Sequence, residues 1–175
     1  MLAGPSGTLE LMGHRRICIA TVTTLAVVAV CTTAVAQTSH EGWPTIDGKL
    51  KINKDDGNDT ITGTGKSDEL LGGHDSDTIN GHDRADVLWG DYKPSGQGTA
   101  QVDHLYGGAG ADFIYASHGR NVIVAGSGKD TIHAHFGRGS IDCGGGRDIL
   151  FISHRSKPGY RIRHCERISF KTLGH

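Results

Sequence analysis

Along much of this chain a carboxylate closes a short glycine-rich segment, and that pairing suits a hard metal ion. The acid position reads Asp59, Asp68, Asp77, Asp86, Asp103, Asp112, Asn121, Asp130, Gly139 and Asp148. Neighbouring positions are nine residues apart, except between Asp86 and Asp103, where the spacing is seventeen. Glycine accepts positive φ, so the backbone ahead of each acid can curl until its carbonyls point inward. Ca²⁺ takes six to eight oxygen ligands, and carbonyls closed off by a carboxylate supply that kind of donor.

Something regular must hold these turns in line. Two residues after each acid position stands Ile61, Leu70, Ile79, Leu88, Leu105, Ile114, Ile123, Ile132, Ile141 or Leu150. The three residues after each turn, such as Phe113-Ile114-Tyr115 or Val122-Ile123-Val124, read as a short strand whose middle side chain faces the core. The eight-residue excess after Asp86 falls in Gly90-Asp91-Tyr92-Lys93-Pro94-Ser95-Gly96-Gln97-Gly98. Such turn-forming sequence reads as a loop, 91–101, extruded from one coil.

The best-preserved turns are Gly107-Gly108-Ala109-Gly110-Ala111-Asp112, Ala125-Gly126-Ser127-Gly128-Lys129-Asp130 and Cys143-Gly144-Gly145-Gly146-Arg147-Asp148. They resemble the hemolysin-type (RTX) calcium-binding nonapeptide, Gly-Gly-x-Gly-x-Asp-x-apolar-x, over residues 53–151. The resemblance implies an all-β fold: a right-handed parallel β-roll, a β-solenoid of nine-residue repeats with two repeats per coil. About five coils with N- and C-terminal caps are expected, with several Ca²⁺ ions held between stacked turns. The expected ligands are Asp59, Asp68, Asp77, Asp86, Asp112, Asp130 and Asp148, with Asp75 in the turn before Asp77. Gly108, Gly110, Gly126, Gly128, Gly144 and Gly146 complete the set through their turns.

Two repeats per coil place Asp68, Asp86, Asp112, Asp130 and Asp148 in one column and Asp59, Asp77, Asp103, Asn121 and Gly139 in the other. The first keeps every acid, so the tighter sites are expected there; the second should fail toward its C-terminal end. Carboxylates one rung apart, about 4.8 Å, repel by roughly 3 to 4 kcal/mol at an effective dielectric near 20. The roll is therefore expected to need Ca²⁺ in order to fold.

The N-terminal stretch differs in kind. Arg15 and Arg16 precede an apolar run from Ile17 to Val30, short for a bilayer span, that ends in Thr33-Ala34-Val35-Ala36. Residues 1–36 read as a signal peptide cut after Ala36, which makes the protein secreted, extracellular and without a membrane span after cleavage. Arg15-Arg16 suits a plain basic region and a twin-arginine signal alike. Lipidation at Cys31 fits less well, because Val30 is bulky for that site. The remaining chain carries 16 basic and 18 acidic side chains, a balance that argues against a nucleic-acid partner. Cys143 and Cys165 are the two cysteines left, and in an oxidising compartment they should be bridged.

The ends of a stacked roll must be closed. Residues 37–52 form an N-terminal segment and leading strand, with Lys51-Ile52-Asn53 as the strand, since Ile52 lies nine before Ile61. Residues 152–175 form a disulfide-linked C-terminal cap. Pro158-Gly159 interrupts the period there, yet Ile168 lies eighteen after Leu150. Arg155, Lys157, Arg161, Arg163, Arg167 and Lys171 make the cap basic, as a solvated surface or as a site for an anionic wall polymer.

Val87, Trp89, Phe113, Tyr115, Ile149 and Phe151 flank the core positions of one sheet, whereas the other shows Thr60, Thr62, Thr78, Asn80, Ser140 and Asp142. Such an apolar face marks a contact. It is either covered by residues 38–50 or the tail, or open to a carbohydrate ring, another partner or self-association. His133 and His135 can share a strand face, but their spacing makes no zinc motif. HExxH, G-x-S-x-G and Walker patterns are missing, so no enzyme is expected. The alternative, a secreted polysaccharide-acting enzyme on a β-solenoid scaffold, would need clustered outward carboxylates, for which only Glu69, Asp142 and Glu166 come forward.

Overall fold

The computed structural model describes residues 42–52, 57–91 and 98–171. The expected signal peptide, the first residues of the N-terminal segment, Asn53 and the middle of the inserted loop lie outside the described residues. Three-residue strands with one inward side chain cannot bury anything singly; they must stack. They do so in two sheets to which the chain contributes in turn. The first contains β1 (Leu50–Ile52), β3 (Glu69–Leu71), β5 (Val87–Trp89), β7 (Phe113–Tyr115), β9 (Thr131–Ala134), β12 (Ile149–Ile152) and β14 (Arg167–Ser169). The second contains β2 (Thr60–Thr62), β4 (Thr78–Asp83), β6 (Val102–Gly110), β8 (Arg120–Gly128), β10 (Arg138–Asp142) and β13 (Tyr160–Arg163), with the two-residue β11 (Gly145–Gly146) beside β8. Neighbours pair in parallel, giving a β-solenoid of about six turns, the capping strands extending the five expected coils.

Registers follow the eighteen-residue coil: Ile61 pairs with Ile79, Leu70 with Leu88, Ile132 with Leu150. Ile79 pairs with Leu105, so the extra eight residues leave the ladder as a loop without shifting it. All ten aliphatic positions are at most 2 % exposed. Ala125, Ala134, Cys143, Ile152 and Tyr160 join them, so the core thickens toward the C-terminus.

Both ends depart from strict periodicity. In β1 it is Lys51, not Ile52, that pairs with Leu70, and Ile52 pairs with Leu71. Among the described residues no further coil covers this rung, and a lysine is tolerated at the core register because its ammonium can reach water. At the other end a 3₁₀ turn, Lys157–Gly159, adds three residues, so Ile162 rather than Leu150 plus nine meets Ile141. The short connection before β14 removes the excess, and Leu150 pairs with Ile168. Cys143 and Cys165 form a disulfide, Cα–Cα 5.1 Å, that binds this last coil to the turn beneath it.

The N-terminal half of the apolar outer face of the first sheet is closed from within the chain. Ile46 packs on Val87 and Tyr115, with Trp43, Trp89 and Phe113 around them. Trp43 Nε1 donates to the Tyr115 hydroxyl at 2.8 Å. Aromatic rings then continue up the sheet, Trp89 on Tyr115, Tyr115 on His133 and His133 on Phe151, at centroid distances of 4.1, 4.7 and 5.0 Å. Val87, Trp89, Phe113 and Tyr115 are thus lined up under the segment from Gly42, not presented as a free contact face, and His133 serves as a stacked ring.

A disulfide closing a loop of this length contributes roughly 3 kcal/mol through the unfolded chain. The double variant Cys143→Ala/Cys165→Ala is expected to lose about that much in urea unfolding at saturating calcium, with the β spectrum retained.

Candidate metal sites

In the turns that lead into the first sheet, the two oxygens of each carboxylate have different surroundings. One belongs to the stack. Asp86 Oδ1 accepts the Asp68 backbone N–H at 2.7 Å, Asp112 Oδ1 that of Asp86 at 2.9 Å, Asp130 Oδ1 that of Asp112 at 2.9 Å, and Asp148 Oδ1 that of Asp130 at 2.8 Å. Glu166 ends the series, its Oε2 accepting the Asp148 N–H at 2.8 Å. The second oxygen is bare: Oδ2 of Asp86, Asp112, Asp130 and Asp148 is buried with no hydrogen-bond partner.

A buried carboxylate oxygen without a donor is costly unless a proton or cation meets it. Backbone carbonyls approach the same spots. A Cβ placed on Gly107 would lie 2.5 Å from Asp112 Oδ2 and 2.4 Å from the Ala125 carbonyl; on Gly81 it would lie 2.4 Å from Asp86 Oδ2 and 2.6 Å from the Gly107 carbonyl. Glycine keeps that space clear. Carboxylate and carbonyl oxygens fit Ca²⁺, and carbonyls would have to complete its shell, because among the described residues no three His, Cys, Asp or Glu side chains converge.

The later glycines act through the backbone. Gly126 and Gly128 have φ of +111° and +142°, and a Cβ on them would lie 2.0 Å from the Gly108 carbonyl and 1.5 Å from that of Gly110. Those turns pair like strands, Gly108 with Gly126 and Gly110 with Gly128, and Gly146 follows on Gly128. Gly144 crowds the Gly126 carbonyl in the same way. Asp75 is exposed at φ +73°, a side chain held in the left-handed region where later turns use glycine.

The second column is built differently. Asp77 Oδ1 accepts the Asp59 N–H and Asp103 Oδ1 that of Asp77, both at 3.0 Å, so the stack begins the same way. Here the other oxygens are taken: Gly73 N–H donates to Asp77 Oδ2 at 2.9 Å and the Ser117 hydroxyl to Asp103 Oδ2. At Asn121 the column closes, its amide nitrogen donating to the Ser117 carbonyl at 3.0 Å and the Tyr160 hydroxyl at 3.1 Å. Tyr160, paired beside Gly139, fills the position that has no side chain. Asp68, at the N-terminal end of the first column, is also saturated, by the Thr64 N–H at 2.5 Å, the Thr64 hydroxyl and the Lys49 N–H.

The structure therefore gathers bare oxygens at Asp86, Asp112, Asp130 and Asp148, and surrounds Asp68 and Asp77 with donors. Asp103 and Glu166 were not among the expected ligands. Glu166 could have been found, since it lies eighteen residues after Asp148.

Burial pushes the Asp86 and Asp112 carboxyls up to about 7 and that of Asp130 to about 6, helped by the neighbouring acids and opposed by the stack's N–H donors. Asp77, Asp103 and Asp148 are raised for the same first reason. In the unfolded chain these groups lose their protons near pH 4, whereas the metal-free roll retains them. The contribution of these buried carboxyls to the metal-free roll is thus fully present below about pH 4 and is lost as pH climbs toward 7. Thermal melts in chelator should show a higher midpoint at pH 4.5 than at pH 7.5. Millimolar Ca²⁺, which competes with those protons, should raise the midpoint far more at pH 7.5 than at pH 4.5.

The family model for the RTX calcium-binding nonapeptide repeat matches residues 55–88, 97–132 and 119–150. Comparisons with curated proteins and with solved structures return no match. The matched residues make up half of the chain and carry the column of half-satisfied carboxylates, so this chain belongs to the RTX calcium-binding nonapeptide repeat family and is a calcium-binding β-roll protein.

Proposed function

We propose that the protein is exported, folds on binding Ca²⁺ outside the cell and has a structural or adhesive task there, with residues 1–36 removed as a signal peptide. The observation that carries this reading is the run of four buried, donor-free Oδ2 atoms at Asp86, Asp112, Asp130 and Asp148. These oxygens and the turn carbonyls would hold the ions, and the bound cation supplies the positive charge that lets acids stack. In a compartment poor in calcium the column opposes the fold; outside, where modules of this kind bind at roughly 10⁻⁴ to 10⁻³ M, it assembles. Calcium is then a folding signal tied to location.

The solvent-facing residues favour a binding role over catalysis. Arg155, Lys157, Arg161, Arg163, Arg167 and Lys171 are all exposed on the C-terminal cap, a surface suited to an anionic wall polymer. A polysaccharide-cleaving enzyme would need two carboxylates facing each other across the bond. Glu69 lies on β3 of one sheet and Asp142 on β10 of the other, where it accepts from His164 at 2.8 Å; Glu166 receives the Asp148 N–H.

Circular dichroism of the chain without residues 1–36 tests the reading. At pH 7.5 in EDTA the β spectrum should be largely lost, and it should return cooperatively as Ca²⁺ rises into the millimolar range. A full β spectrum in chelator would count against calcium-driven folding.

A further inference from the structure

Asp91 stands at the root of the inserted loop, outside the residues matched by the repeat family, which end at 88 and resume at 97. It is only 6 % exposed, and Gln101, whose side-chain amide donates to its Oδ2, is 7 % exposed. The backbone N–H of His118 also acts on this carboxylate. Its Oδ1 is buried with no hydrogen-bond partner.

The carboxyl lies in acidic surroundings. The charges acting on Asp91 are those of Asp103 first and Asp77 second, both negative. Asp103 is fully buried and takes the Ser117 hydroxyl on its Oδ2, and both of those atoms lie 3.1 Å from where a Cβ on Gly90 would be. Asp103 Oδ2 and the Ser117 hydroxyl thus lie beside Gly90, the residue before Asp91, and two buried carboxylates that act on each other, one with a bare oxygen, favour a nearby cation. The oxygen donors are two carboxylates and a hydroxyl, hard ligands that select Ca²⁺ over soft metals, while the Gln101 amide meets Asp91 through its N–H.

We propose that Asp91 and Asp103, with Ser117, hold a further Ca²⁺ at the root of the inserted loop, in addition to the ions between the repeat turns. This inference rests on the calcium-binding reading of the roll. It differs in using an acid that the nine-residue pattern does not supply. Such an ion would fasten both ends of the loop, through Asp91 and Asp103, to the turn that carries Ser117.

Native mass spectrometry of the full chain in Ca²⁺ counts the ions. Asp91→Asn should bind one Ca²⁺ fewer than the unaltered chain, with the same β spectrum, and Asp91→Glu should restore the count. Asp112→Asn should lose a column ion instead, and combining it with Asp91→Asn should remove one more. Ser117→Ala, which keeps both carboxylates, should weaken one ion about tenfold or more in calorimetry even if Asp91→Asn does not fold. An unchanged count in Asp91→Asn, or unchanged affinities in Ser117→Ala, overturns the loop-root site while leaving the column sites standing. Failure of the unaltered chain to bind any calcium overturns both.

Discussion

Each turn of the first column gives the N–H of its aspartate to the carboxylate one coil further on, so the strands can stack only if the carboxylates stack too. From Asp86 to Asp148 that hydrogen bond organises one oxygen of each acid, and no donor reaches the other. Buried like charges at rung spacing oppose the fold, and the same geometry that creates the repulsion aims carbonyl oxygens into the gap. The proposed coupling of calcium binding to folding rests on this geometry. The acids are the joints of the ladder, and the same side chains carry the oxygens proposed as ligands.

The two columns show how narrowly this depends on the residue at one position. Where Asp112 and Asp130 leave an oxygen bare, Asn121 brings an amide N–H of its own and places it on the Ser117 carbonyl and Tyr160 hydroxyl. A neutral network then occupies that part of the second column, and Tyr160 in turn donates to the Phe136 carbonyl at 2.8 Å. Replacing a carboxylate by an amide changes a joint that needs a cation into one that satisfies itself. The second column thus passes from acid to amide to aromatic as it approaches the cap.

The surfaces of the stack are closed by means other than metal. Ile46 and Trp43 cover the N-terminal half of the first sheet, and a row of stacked rings continues toward Phe151. The C-terminal coil is held by the Cys143–Cys165 bridge, at the turn whose Asp148 passes its N–H to Glu166. The first device covers part of the outer face of a sheet, and the second ties the last coil to the stack, whose ends would otherwise expose core and strand edges.

A nine-residue period with Ile or Leu in phase with the acids determines the parallel stack, its eighteen-residue register and the burial of all ten aliphatic positions, because only stacking can bury one inward side chain per short strand. The eight-residue insertion after Asp86 and the pairing of Cys143 with Cys165 are legible in the same way. Tertiary structure decided the rest, wherever partners come from outside the period. Asp68 and Asp86 look alike in sequence, yet Thr64 and Lys49 surround the first with donors and nothing does so for the second. Lys51 takes the core register in place of Ile52, and a 3₁₀ turn puts Ile162 opposite Ile141. Asp91 belongs to no repeat, and its burial was not legible in the period. Periodicity specifies which residues share a rung; which oxygen on that rung goes without a donor depends on neighbours that only the folded chain brings together.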